Sequence, residues 1–319
     1  MNTQSSYTTP DGVDLACRFW TTPGPPTSVV VIVHGYAEHC GRHAALTTRL
    51  VEHGHAVFSY DQRGHGHSGG RRAYVSSFDL YLDDLGVMID EARKKAPTVP
   101  VFLFGHSMGG AVATLYCLER QPDVDGLILS SPALKLPDIA PLLQRLSSVL
   151  SRLFPRLPTI KLDLAHLSRD PEVVAQAKAD PLYFHGRIPA RTGAELIRAT
   201  KRIRQQMDAL TLPFLLFHGT EDQITDPAGS SELYRRARCT DKTFALYPGL
   251  YHETLNEPEK DQVLEEIIDS TFAALICTSK RAFLDQFQGL YARKGVYLSC
   301  QLGSSTKLPD RSNLQALAQ

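Results

Sequence analysis

A short apolar run, a serine flanked by glycines and a run of small residues follow one another between residues 101 and 118. The first run, V-F-L-F, predicts a buried strand, and the residues from Gly110 onward predict a helix that packs closely on its neighbours. Between them lies G-H-S-M-G with Ser107 at its centre. This order is typical of a nucleophile elbow, in which glycines permit a tight turn and the serine hydroxyl projects from the end of a sheet. A glycine-rich turn with an incidental serine is the alternative, and the flanking elements disfavour it.

Strands and helices alternate along most of the chain. The β-branched run at 29–33 predicts a central strand that is buried on both faces. Further strands are predicted at 13–20, 57–60, 127–129, 213–217 and 243–247, and helices at 42–53, 78–96 and 258–275. This alternation favours a mostly parallel sheet with helices on both faces.

The alternation stops between residues 133 and 210, where helical patterns and prolines occur and no strand is predicted. We interpret this segment as a helical cap inserted into the α/β fold. The core is then formed by residues 1–132 and 211–275. Residues 276–319 form a C-terminal extension that we expect to be partly disordered, because its end is polar.

Composition argues against several classes of protein. The formal net charge is zero, so the overall charge balance does not indicate a nucleic-acid partner. No apolar run approaches the roughly 20 residues of a membrane span, and the polar N-terminus does not resemble a secretory signal. The six cysteines lack C-x-x-C or zinc-ligand spacing, which predicts reduced thiols in a cytoplasmic protein.

A nucleophilic serine needs a base, and the base needs an acid that orients it. In folds with this elbow, the acid and then the histidine follow the serine along the chain. The loop after the next-to-last predicted strand carries Glu221, Asp222 and Asp226. Asp226 precedes a proline and a helical pattern, which is typical of a helix N-cap, and Glu221 is long for a tight loop, so Asp222 is the predicted acid. His252 follows the last predicted strand and is the predicted base.

A serine hydrolase also needs two N–H groups that stabilise the negative oxygen of the tetrahedral intermediate. One is predicted to be the backbone N–H of Met108, the residue after the nucleophile. The other is expected from the loop that follows the strand at 29–33, where the N–H of Tyr36 is the candidate. The predicted reaction is acyl transfer to water through an acyl-enzyme, which requires no metal or cofactor.

Four segments together carry a resemblance to a known family: H-G-Y-A-E-H at 34–39, D-Q-R-G-H-G-H-S at 61–68, G-H-S-M-G-G at 105–110 and H-G-T-E-D at 218–222. In this order they resemble the monoacylglycerol lipases of the α/β-hydrolase superfamily, over roughly residues 10–275. The resemblance implies an α/β-hydrolase fold and cleavage of a monoacylglycerol to glycerol and a fatty acid. A lysophospholipase or a broad carboxylesterase with the same triad, and a non-catalytic lipid-binding protein, are the alternatives.

The resemblance also bears on individual residues. Glu38 and Arg42 match family positions near the glycerol end of the pocket, although their i, i+4 spacing is equally typical of an ion pair at a helix start. Mammalian members carry a cysteine three residues after the catalytic aspartate. Thr225 occupies that position here, so inhibition by thiol-directed reagents at this point is expected to be absent.

The predicted cap combines an apolar stripe with positive charge. Apolar residues recur at helical spacing between residues 139 and 154. The segment 133–210 contains 13 Lys and Arg against 7 Asp and Glu, a net charge of +6 in a chain that is neutral overall. A basic, amphipathic cap suits peripheral contact with an anionic membrane. A stripe that only covers the site, with a solvated basic face, is the alternative.

Overall fold

The computed structural model of the protein describes residues 2–136 and 150–272. Within these residues one sheet has eight strands, in the order β1-β2-β4-β3-β5-β6-β9-β10. The strands are β1 (Asn2–Thr8), β2 (Asp14–Trp20), β3 (Val29–Val33), β4 (Ala56–Tyr60), β5 (Val101–His106), β6 (Gly126–Ser130), β9 (Phe214–Gly219) and β10 (Lys242–Tyr247). All neighbouring pairs are parallel except β1 with β2 and β2 with β4. The predicted mostly parallel sheet is therefore confirmed.

The described α-helices are α1 (Ala44–Glu52), α2 (Asp79–Lys95), α3 (Met108–Arg120), α4 (Pro171–Ala179), α5 (Ala190–Gln206), α6 (Pro227–Arg236) and α7 (Lys260–Leu264). Short 3₁₀ turns lie at Cys40–His43, Leu164–His166, Met207–Ala209 and Thr254–Asn256. The predicted helix at 258–275 begins at Lys260, and its chain continues from Glu265 to Phe272 as a π-helix. The remainder of that prediction lies outside the described residues.

Helices cover both faces of the sheet, because its central strands carry apolar side chains on both faces. Val31 of β3 faces a core that includes Leu82 of α2 and Leu115 of α3. Its neighbour Ile32 faces the opposite core, which includes Leu46 of α1. Successive side chains of a strand point to opposite faces, so a continuous β-branched run is what a doubly covered strand requires.

Strand β1 was not predicted from the sequence. It is almost entirely exposed and pairs only along β2, at the edge of the sheet. A polar strand held by backbone pairing lacks the apolar alternation on which the sequence prediction depends.

The segment predicted to contain no strand holds two short ones, which corrects that expectation. β7 (Pro158–Lys161) and β8 (Arg187–Pro189) form a separate antiparallel pair outside the main sheet. Both are short and half-exposed, so no buried face imposes a pattern on their sequence. Helix α5, from the same segment, packs on α3 and contributes Ala199 and Ile203 to the main core.

Two predictions lie wholly or largely outside the described residues. The apolar stripe at 139–154 falls mostly within 137–149, and the C-terminal extension at 276–319 falls entirely beyond 272. The described end of the stripe is helical at 150–153.

Candidate active site

The G-H-S-M-G segment forms the tight turn between β5 and α3. Ser107 has φ 52° and directly precedes the first residue of α3. A Cβ at Gly109 would lie 2.1 Å from the Val33 carbonyl oxygen, and one at Gly105 would lie 2.7 Å from the Gly109 carbonyl oxygen. Only glycine allows β5, α3 and β3 to approach this closely. The serine is consequently held at a positive φ, which residues other than glycine rarely adopt, at the carboxyl end of β5.

Asp222 lies in the loop after β9, which is two strands from β5 in the sheet. Its Oδ1 accepts hydrogen bonds from the backbone N–H groups of Ile224 at 2.7 Å and Thr225 at 3.0 Å. Asp226, the rejected candidate, caps α6 by accepting from the N–H of Ala228, as predicted. The tight loop therefore aims the Asp222 carboxylate inward, while Asp226 serves the helix.

His252 follows β10 and meets this carboxylate. Its Nδ1 lies 2.7 Å from Asp222 Oδ2, and its side chain is almost fully buried. Burial opposes a positive charge on the ring, but the neighbouring Asp222 carboxylate outweighs this and raises the pKa of His252. Burial likewise opposes the Asp222 charge, and the His252 and His218 rings together lower the Asp222 pKa far below its usual range. The pair is thus an ionised acid beside a strengthened base.

The same histidine lies beside the elbow. The rings of His252 and His106 have centroids 4.8 Å apart, and His106 is the residue directly before Ser107. The three predicted residues, which are spread over 146 positions between Ser107 and His252, converge at one edge of the sheet. This is the edge where parallel α/β sheets place their ligand sites, because the carboxyl ends of the strands meet there.

The loop after β3 approaches the serine from the other side. A Cβ at Gly35 would lie 3.1 Å from the Ser107 Cβ and 3.3 Å from His106 Cδ2. The Gly35 N–H donates to Glu38 Oε1, which ties the loop into its turn, and Ala37 adopts φ 71°. The backbone at Tyr36 therefore reaches the neighbourhood of Ser107. The N–H of Met108 belongs to the first turn of α3, whose donors have no intrahelical acceptor.

Glu38, which belongs to this loop, forms a buried charged group with Arg42. Arg42 Nε lies 3.6 Å from Glu38 Oε2, and Arg42 Nη2 donates to Glu253 Oε2 at 2.6 Å. His43 Nε2 lies 3.3 Å from Glu38 Oε1. The ion pair that the i, i+4 spacing indicated is therefore present. Both residues also line a cavity of about 10 Å³, room for one water molecule.

Part of the segment predicted as a cap lies directly on the loop after β3. The N–H of Phe184 donates to the Ala37 carbonyl at 2.7 Å, and the Phe184 and Tyr36 rings pack edge to face. His39 Nε2 lies 2.8 Å from Asp180 Oδ2. These contacts hold Asp180 and Phe184 against the loop after β3.

Two side chains around Asp222 were not assigned a role from the sequence. His218 Nε2 lies 2.9 Å from Asp222 Oδ2, and Thr225 Oγ1 lies 2.8 Å from the same oxygen. His218 is visible in the H-G-T-E-D motif, but nothing in the motif says where its ring points. Only the loop geometry brings the ring back onto the carboxylate four residues later.

Two kinds of feature are absent from the described residues. Among residues 2–136 and 150–272, no cluster of three or more His, Cys, Asp or Glu side chains is arranged to hold a metal ion. No helix in the same two ranges is long and apolar enough to span a bilayer.

Comparison with known proteins decides the family. A family model described as serine aminopeptidase, S33, matches residues 24–259. The chain belongs to this family. It is 38% identical to the monoacylglycerol lipase of Mycolicibacterium smegmatis over 265 residues, which cover 83% of this chain and 95% of that protein. The resemblance to monoacylglycerol lipases is therefore confirmed.

Solved structures agree with this family assignment. The monoacylglycerol lipase of Paleococcus ferrophilus matches with a TM-score of 0.73 and 32% identity, over 82% of this chain and 98% of that one. The α/β-hydrolase fold is thus confirmed. A second curated relative, phospholipase YtpA of Bacillus subtilis, is 31% identical over 82% of this chain and 96% of its own.

Proposed function

We propose that the protein is a serine hydrolase that cleaves monoacylglycerol into glycerol and a free fatty acid. The observation that carries the proposal is the 2.7 Å contact between His252 Nδ1 and Asp222 Oδ2, beside a serine held at φ 52° on an elbow. The relatives named as monoacylglycerol lipases support the substrate class.

In the proposed reaction, Ser107 Oγ attacks the ester carbonyl carbon while His252 Nε2 takes the hydroxyl proton. Asp222 holds the ring with Nδ1 protonated and stabilises the imidazolium that forms. The N–H groups of Tyr36 and Met108 donate to the tetrahedral oxyanion. His252 then gives its proton to the departing glycerol oxygen, which leaves an acyl-Ser107 ester. Water, deprotonated by His252, hydrolyses this ester and releases the fatty acid.

We assign substrate access to the segment at 133–210, acting as a cap. Its described part exposes large apolar side chains, namely Leu153, Phe154, Leu157 and Ile160. Phe154 is 59% and Leu153 68% exposed. Exposed apolar side chains beside the basic charge of the segment fit an interfacial contact with anionic lipid, from which a monoacylglycerol enters. Glu38 and Arg42 are proposed to lie at the glycerol end, where the buried ion pair provides polar atoms.

A lysophospholipase is the second candidate, and the similarity to a bacterial phospholipase favours it. The same triad cleaves either ester, since the head group lies beyond the reacting carbonyl. Head-group preference then depends on the pocket around Arg42 rather than on Ser107.

The test measures fatty-acid release by the wild-type protein and Ser107→Ala, using 1-monooleoylglycerol, 1-oleoyl-lysophosphatidylcholine and a short p-nitrophenyl ester in parallel. Strong preference for the monoacylglycerol, with an inactive variant, supports the proposal. Preference for the lysophospholipid or the short ester keeps the triad and rejects the substrate. A fluorophosphonate probe that fails to label the wild-type protein would indicate a non-catalytic lipid-binding protein.

A further inference from the structure

We propose that His218 is a positioning residue, which acts on His252 through the carboxylate that the two histidines share. This inference rests on the proposed triad. His218 is the next-to-last residue of β9 and is fully buried, and its Nε2 lies 2.9 Å from the same Asp222 oxygen that faces His252 Nδ1. The ring stands four residues before the acid and 34 before the base.

The sharing of one oxygen is the central observation. Asp222 Oδ2 has three side-chain partners: His252 Nδ1 at 2.7 Å, Thr225 Oγ1 at 2.8 Å and His218 Nε2 at 2.9 Å. Oδ1 is occupied by two backbone N–H groups. Both carboxylate oxygens are therefore held by neighbouring polar groups, which restrains rotation of the carboxylate.

The ring of His218 is itself oriented by a second contact. Its Nδ1 lies 2.8 Å from Ser230 Oγ, at the buried start of α6. An ionised carboxylate only accepts hydrogen bonds, so the Nε2 proton is donated to Asp222, and in the neutral ring Nδ1 accepts from the Ser230 hydroxyl. A series of polar contacts therefore links α6 to the proposed base, running from Ser230 through His218 and Asp222 to His252.

The consequence is a competition for Oδ2. Each donor that stabilises the anionic carboxylate lowers its affinity for the proton on the opposite side. His218 thus moderates how strongly Asp222 raises the basicity of His252, while holding the carboxylate where Nδ1 meets it. Four other titratable groups act on His252 or His218, and none of them is substituted in the test: His106, Glu38, Glu253 and Asp226.

The test compares His218→Leu with His218→Gln. Leucine removes both polar contacts, whereas the glutamine amide can keep an N–H donor near the Nε2 position. We expect kcat to fall about tenfold or more in His218→Leu with KM nearly unchanged, because only the transition state uses the oriented base. We expect the acid limb of the kcat/KM profile to move upward by about 0.5 pH, since the carboxylate loses a stabilising donor. His218→Gln should restore most of kcat and return the limb.

A buried histidine elsewhere is the matched control. His55 lies before β4, beside Ser28, and is 7% exposed. His55→Leu should lower the melting temperature without moving the acid limb. Ser230→Ala keeps the His218 ring and removes only its Nδ1 partner, so it remains informative if His218→Leu does not fold. It should move the limb in the same direction by a smaller amount.

The outcomes separate the two proposals. A wild-type protein that neither reacts with a fluorophosphonate nor releases fatty acid overturns the proposed function itself. An active wild type, with an acid limb that stays in place or moves downward in both His218→Leu and Ser230→Ala, overturns the positioning role and leaves the triad intact. An equal loss in His218→Gln and His218→Leu does the same, because it assigns the effect to packing.

Discussion

The substitution Asp222→Asn removes the charge of the proposed acid with almost no change of shape. In the structure Oδ1 accepts from two backbone N–H groups, at 2.7 and 3.0 Å, and Oδ2 faces His252 Nδ1 at 2.7 Å. An amide has only one acceptor oxygen. The backbone donors cannot become acceptors, whereas an imidazole can move its proton, so we expect the amide oxygen to stay on the backbone side. The amide NH₂ then faces His252, which must accept on Nδ1 and carry its proton on Nε2. It also faces His218 Nε2 and Thr225 Oγ1, which must likewise turn acceptors toward it.

A histidine with its proton on Nε2 cannot take the proton of Ser107. We therefore expect kcat/KM for monooleoylglycerol to fall by about 10³ to 10⁴, or about 4 to 5.5 kcal/mol of transition-state stabilisation. Stability should change far less, because the backbone contacts of the loop are kept.

The chain offers a control with the same chemical change four residues away. Asp226 caps α6 through Ala228 N–H at 2.8 Å and is partly exposed. Asparagine caps helices about as well as aspartate, so Asp226→Asn should retain kcat/KM to within about twofold. Fatty-acid release, fluorophosphonate labelling rates and thermal melting would be measured on all three proteins. An Asp222→Asn activity within tenfold of wild type, or an equal loss in Asp226→Asn, would refute the assignment.

Three other predictions concern the pH profile, the elbow glycine and the lipid contact. Because the Asp222 carboxylate raises the His252 pKa and the base must be neutral, kcat/KM should rise with pH with a midpoint above about 6.5, and a midpoint below that value would contradict the pair. Gly109→Ala should cost about 3 kcal/mol or more of the free energy of unfolding, since its Cβ would lie 2.1 Å from the Val33 carbonyl oxygen; a nearly unchanged melting curve in denaturant would show that the elbow can relax. The double variant Leu153→Ser, Phe154→Ser should weaken flotation with anionic liposomes and leave cleavage of a short soluble ester unchanged, whereas unaltered flotation would remove the proposed lipid contact.

Most of the sheet could be predicted because the burial of each central strand is visible in the apolar residues of that strand. A strand such as β3, buried on both faces, must be apolar throughout, and its five consecutive Val and Ile residues state this locally. β1 and the β7–β8 pair could not be predicted, since exposed or half-exposed strands depend on backbone pairing with residues elsewhere. The predicted cap boundary rests on a loss of strand patterns, yet α5 within the predicted cap packs on α3 of the core.

The elbow and the chain order of the candidate triad can be predicted from the residues alone. The G-x-S-x-G pattern between an apolar strand and a helix indicates a tight turn that only glycines permit. The order of acid and histidine along the chain then indicates Asp222 and His252. The side chains that surround these residues depend on the fold as a whole. Arg42 pairs with Glu253 across 211 residues, and His218 turns back onto Asp222. Such contacts depend on the conformations of the loops at the carboxyl end of the sheet. These conformations are irregular, so the directions of loop side chains produce no repeating pattern in the sequence. Steric requirements act between residues that are neighbours in the chain, whereas polar pairing depends on the distances that the fold creates between residues far apart in sequence.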